Sequence, residues 1–134
     1  MSIKQTILSR LHSINRPGMS DLIHYLTTES DYFTAPASIK GHSNYPYGLA
    51  IHSHNVVELL IQKNNQFHLG LSLETIYLAG YLHDLCKTNI FRPTLKLRYN
   101  SKNERECYFT YECPDTFPVG HGEKSVIIAQ QFIK

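Results

Sequence analysis

Histidine is a poor occupant of an apolar helix face unless something pairs with its ring. This chain places one there on two consecutive predicted helices. From about Leu49 to Phe67 the spacing predicts a helix on which His52, Val56, Leu59 and Leu60 share one face. A further helix, starting near Ser72, lines its inner side with Ile76, Ala79, Gly80 and His83. Buried imidazoles cost free energy unless they are hydrogen-bonded or coordinated, so the two rings are expected to face each other. Ala79 and Gly80 are small enough to let the neighbouring backbone come close beside the histidine. Asp84 follows His83 directly, and successive side chains lie about 100° apart around a helix axis, so both can bracket one point near the helix end. Imidazole and carboxylate converging in this way suit a divalent metal ion. His121, opening a last helix predicted from His121 to Phe132, offers another nitrogen. The expectation is three helices that each deliver a ligand to a common centre.

The remaining elements fit around that centre. Ile3, Ile7, Leu8, Leu11 and Ile14 recur at helical spacing between Ser2 and Asn15, and Arg16-Pro17-Gly18 breaks the run. Ser20 or Asp21 is placed to cap a short second helix carrying Leu22, Ile23 and Leu26. Asp31 to Gly48 contains Pro36 and Pro46 and has no periodicity, which predicts a long loop of the kind that often carries function. Leu95–Asn100 and Glu106–Glu112 alternate in the β manner around a polar turn, with Pro114 and Pro118 ending the hairpin. The predicted fold is mainly α: a helical bundle with a small β-hairpin between the fourth and last helices. The 134 residues suffice for one domain, 1–134, in which residues 1–18 form an N-terminal helix.

Charge is informative through its placement. The net charge of +2 is too small to indicate a nucleic-acid partner by itself. However, Lys87, Arg92, Lys96, Arg98, Lys102 and Arg105 face only Glu104 between positions 87 and 105. This excess follows the His-Asp pair and either draws a phosphate toward it or simply protects a hairpin edge from aggregation. Cys86, Cys107 and Cys113 are odd in number with no Cys-x-x-Cys spacing, so reduced thiols in the cytoplasm are expected. No signal-peptide pattern and no run of the ~20 apolar residues needed to span a bilayer is present. Val126, Ile127, Ile128 and Phe132 give the last helix apolar residues around its circumference. That predicts a homodimer or hetero-complex through residues 126–132.

Several histidines have ordinary readings. His54, two residues after His52, points away from it on a helix. His12, His24 and His68 lie in unremarkable surroundings, whereas His42 sits in the long loop and stays open. Cys86 as a nucleophile is disfavoured because it projects away from Asp84 and no nucleophile elbow is present. A closed structural zinc site would be expected to use more cysteines.

His52 together with Tyr81-Leu82-His83-Asp84-Leu85-Cys86-Lys87 resembles the HD-domain superfamily of metal-dependent phosphohydrolases. Phe33-Thr34-Ala35-Pro36-Ala37-Ser38, His42, Tyr45, Gly48-Leu49 and His52-Ser53 are similar to a bacterial and phage branch. That branch is close to the HD portion of 3′→5′ exoribonucleases, and its members also carry the Gly-His-Gly-Glu-Lys-Ser segment found here at Gly120 to Ser125. The likeness extends from about Met19 to the end of the sequence. It implies that His52, His83 and Asp84 hold a first divalent ion (Mn, Fe, Ni, Co, Zn or Mg). It further implies that His121 serves a second ion and that Lys87 contacts phosphate. The implied activity is hydrolysis of a nucleotide or oligonucleotide phosphate ester by a metal-activated water, with Asp84 and Lys87 catalytic. His42, Arg92 and Arg98 are candidates for holding the substrate. Tyr47 replaces the first glycine of the usual Gly-Gly-Leu, and Ile51 replaces an acidic residue. The aspartate that closes such sites from a later helix has no counterpart, since Asp115 precedes His121. The rival expectation is therefore a shortened, inactive domain that binds a nucleotide or a protein.

Overall fold

The computed structural model describes residues 1–114 and 119–134. Asp115 and Pro118, and with them the expected proline end of the hairpin, lie outside the described residues. The helices are α1 (Ile3–His12), α2 (Met19–His24), α3 (Gly48–Phe67), α4 (Leu73–Leu82) and α5 (His121–Ala129). Between α4 and α5 stand strands β1 (Arg92–Tyr99) and β2 (Arg105–Glu112), antiparallel, with Leu95 opposite Phe109 and Leu97 opposite Cys107.

The mainly α expectation is corrected. Helices hold 48% of the described residues and the hairpin is a full two-stranded sheet, so the architecture is mixed α/β. Each strand runs 8 residues, because Arg92, Pro93 and Thr94 extend the first beyond its expected start at Leu95. The hairpin does sit between the fourth and last helices. Among the described residues no helix is long and apolar enough to cross a membrane.

α1 begins with a capping box: the Ser2 hydroxyl accepts from the Gln5 amide, and the Gln5 side chain accepts from the Ser2 amide. α2 is not capped by Ser20 or Asp21. It opens on Gly18, whose φ of 92° suits glycine and whose Cα lies against the Phe132 carbonyl, leaving no room for a Cβ. A π-helical turn, Tyr25–Glu29, continues α2. The following segment is more ordered than a surface loop, with Tyr32, Phe33, Ala35 and Ala37 buried in the core. Its backbone is tied to the start of α3 through Tyr47 N–H to Thr34 O and Leu49 N–H to Ala35 O.

α3 and α4 form the central pair of the core. Val57 meets Gly80 so closely that a Cβ at position 80 would stand 2.3 Å from Val57 Cγ2. The buried face of α3 is Leu49, Ala50, Ser53 and Val57, not the face through Leu59, which is exposed. His52 therefore sits at the margin of the core rather than in its middle. α5 ends at Ala129 and not at Phe132 as expected; Ile128 on the helix and Phe132 in the turn beyond it pack inward, while Val126 and Ile127 remain exposed. Half of the expected apolar patch is thus used internally.

Candidate metal centre

α4 stops where its chemistry begins. Leu82 is its last residue, His83 caps it, and Asp84 starts a 3₁₀ turn, Leu85–Lys87. Helix ends leave carbonyls without partners. Here the buried Tyr32 hydroxyl donates to Tyr81 O at 2.7 Å, and His83 Nδ1 donates to Gly80 O at 2.7 Å. The second bond orients the His83 ring and turns Nε2 toward α3. There His52 Nε2 lies 3.2 Å from His83 Nε2, and Asp84 Oδ2 lies 3.4 Å from His52 Nε2 and 3.3 Å from His83 Nε2.

These three atoms make a nearly equilateral triangle and form a group that could hold a metal ion. Ligand atoms on a four-coordinate centre with bonds of about 2.0 Å stand about 3.3 Å apart, so the edges of the triangle match such a site. The donor set fits a divalent ion, and the His83–Gly80 bond is the kind of outer contact that holds a ligating imidazole in one tautomer.

The electrostatics describe the same site without an ion. Burial opposes ionisation of Asp84, but hydrogen bonds from His83 and Lys87 outweigh it and hold the carboxyl below its ordinary range. The Asp84 bond raises the His83 pKa against the effect of burial, with Gly80 adding to it. Burial lowers that of His52, which stays neutral more readily. Lys87 Nζ lies 2.9 Å from Asp84 Oδ2, the oxygen that faces both histidines. An ammonium already occupies one flank of the ligand carboxylate.

α5 contributes to the centre differently from the expectation. His121 does not join the three-residue group; it lines a neighbouring cleft of about 300 Å³ with Lys87, Ile39, Phe91 and Cys113. Instead, Ser125, buried in α5, donates to His83 O at 3.0 Å and accepts from the Cys86 amide at 3.0 Å. One hydroxyl thereby clamps the turn that carries both His83 and Asp84. The signal available in the sequence was a single small polar residue opening the apolar run of α5. A second clasp pairs Asp31 and Asn89 through reciprocal backbone-to-side-chain bonds of 3.0 and 2.6 Å.

The remaining candidates are distributed unevenly. His42 stacks on His52 with ring centroids 4.5 Å apart, so the long loop covers the centre from the α3 side. Arg92, at the base of the hairpin, lines a small polar cleft with Asn89 and Pro114. Arg98 is not brought to the centre: it pairs with Glu106 at 2.8 Å, stacks on Tyr108, and stands six residues, about 20 Å of strand, beyond Arg92. His54 is not an outward residue; its ring meets the Tyr81 hydroxyl at 3.2 Å. Cys86 is buried, and burial pushes its thiol pKa up, away from nucleophilic use. Compared with family models, curated proteins and solved structures, the chain finds no match.

Proposed function

We propose that this chain is a metal-dependent phosphohydrolase of the HD type, acting on a nucleotide or oligonucleotide phosphate ester. The observation that carries the reading is the triangle of His52 Nε2, His83 Nε2 and Asp84 Oδ2, with the His83 ring held from behind by Gly80 O. The resemblance of His52, His83-Asp84, Lys87 and Gly120–Ser125 to that superfamily supports it, as does the cationic residue beside the centre. His52, His83 and Asp84 would hold a divalent ion. Once bound, such an ion supplies Lewis acidity and a water whose pKa falls toward about 7.

The chain's own residues account for the rest. Asp84 remains ionised throughout the neutral range and keeps the centre attractive to cations. Lys87 lies between Asp84 and the neighbouring cleft, where its ammonium offsets charge that builds on phosphoryl oxygens during transfer. His121 lines the same cleft and is within the volume a phosphate ester would enter. His42, stacked on His52, narrows access from the loop side. Arg98 has no part in this reading.

The Lys87–Asp84 bond favours one alternative. A built-in ammonium on the ligand carboxylate also suits a domain that binds an anion and holds no metal. Metal content of the purified protein, followed by hydrolysis assays on mono-, cyclic and oligonucleotides with added Mn, separates the two. We expect bound or readily acquired metal and turnover that Asp84→Ala abolishes. An intact protein that binds nucleotide yet takes up no metal and turns nothing over establishes the binding module instead.

A further inference from the structure

The β-hairpin has two unlike faces. Strand alternation puts Arg92, Thr94, Lys96 and Arg98 on one side, opposite Glu106, Tyr108, Thr110 and Glu112. The other side carries Leu95, Leu97 and Tyr99 of β1 with Cys107 and Phe109 of β2. On that face Leu95 is 70% exposed, Leu97 56%, Tyr99 66% and Phe109 55%. Only Tyr111, at the base, is buried. A two-stranded sheet by itself is marginal in water, and four large apolar side chains turned outward make it less favourable still.

We propose that this face is a self-association surface on which the hairpin of a second copy of the chain packs face to face, forming a four-stranded sandwich. The surface is sufficient for that occupant. The four side chains present an apolar patch on the order of 500 Å². Two copies would together bury about 1,000 Å², the lower bound for a specific interface. The arrangement of charge is also suitable. Lys96, Arg98, Glu106 and Glu112 lie on the far face and would point outward into solvent in both copies. The single charge on the apolar side, Arg105, sits at the turn end beside Tyr99, so a two-fold axis through the middle of the patch keeps the two guanidiniums apart. Cys107, opposite Leu97 and exposed, lies near that axis.

Light scattering on the full chain over a dilution series tests the proposal together with a thiol cross-link. We expect a species of twice the 15.4 kDa monomer mass that dissociates on dilution. Leu97→Glu should weaken association at least tenfold, whereas Lys96→Ala on the far face should leave it unchanged. In Cys113→Ser protein, whose hairpin face is unaltered, a short bismaleimide should join two chains through Cys107, and the additional change Cys107→Ser should abolish the product. A monomer at every concentration would overturn the proposal. So would a dimer that survives Leu97→Glu and is instead broken by Val126→Glu, since that result assigns the contact to α5.

Discussion

At His83 a proton and a metal ion compete for the same nitrogen. With no ion bound, Nδ1 donates to Gly80 O while Nε2 faces Asp84, and the Asp84 bond favours the doubly protonated ring. A metal needs the Nε2 lone pair, so binding must expel that proton, whereas burial lowers the His52 pKa and favours the neutral ring a metal needs. Near pH 6.5 we therefore expect release of more than half a proton per ion bound, drawn mainly from His83 and readable as buffer-dependent heats in calorimetry. Release of two protons, or none, would contradict the assignment. The sign for folding follows from the same shift. The stability that His83 contributes to the metal-free protein is complete below its unfolded pKa of about 6.5 and is lost as pH rises through its raised folded value. Asp84 acts oppositely: its contribution holds above about pH 4 and disappears as pH falls through its depressed value. Lys87 gives a further test. Its ammonium repels an incoming cation from Asp84 Oδ2, so Lys87→Ala should tighten Mn binding by about tenfold, roughly 1.4 kcal/mol, while hydrolysis falls. Metal affinity and turnover measured on one preparation check that split.

At the scale of elements, the centre depends on how closely α3 approaches α4 and on how α5 grips the turn after α4. Gly80→Ala would place a methyl group 2.3 Å from Val57 Cγ2. We expect it to push the helices apart at a cost of about 1–3 kcal/mol and to weaken metal binding as well, because the two histidines ride on those helices. Ser125→Ala leaves the Cys86 amide and the His83 carbonyl without their shared partner, a loss of about 1–3 kcal/mol. Denaturant unfolding measures both. These contacts mark the limits of what the sequence disclosed. The α3–α4 pair and the small residue between them were legible, since apolar spacing and a glycine beside a histidine leave few other arrangements. The clamp through Ser125 was not, because it joins positions 42 residues apart in the chain by a bond that no periodicity encodes. The N-terminus of α2 was misread for a related reason: Ser20 and Asp21 are good caps, but a glycine pressed against the Phe132 carbonyl decided where the helix starts.

In the molecule as a whole, the helical core and the hairpin follow different rules. The helices of the core were readable because burial enforces period, but on α3 the buried face runs through Leu49, Ala50, Ser53 and Val57 and not through Leu59. The hairpin was readable as a hairpin, yet its length, and with it the mixed α/β character of the fold, was underestimated: Pro93 looks like a break but is accepted at an exposed strand edge. Ligands were expected from three helices, but two segments supply the whole triangle, His52 on α3 and the neighbours His83 and Asp84 at the end of α4; His121 does not join it, and α5 acts through Ser125. The central claim is that His52, His83 and Asp84 hold one divalent ion. The most direct measurement is an anomalous difference map from crystals of the protein soaked with Mn. We expect a single strong peak within bonding distance of His52 Nε2, His83 Nε2 and an Asp84 carboxylate oxygen. A featureless map at that triangle in crystals saturated with metal, or a peak held by other residues, would contradict it.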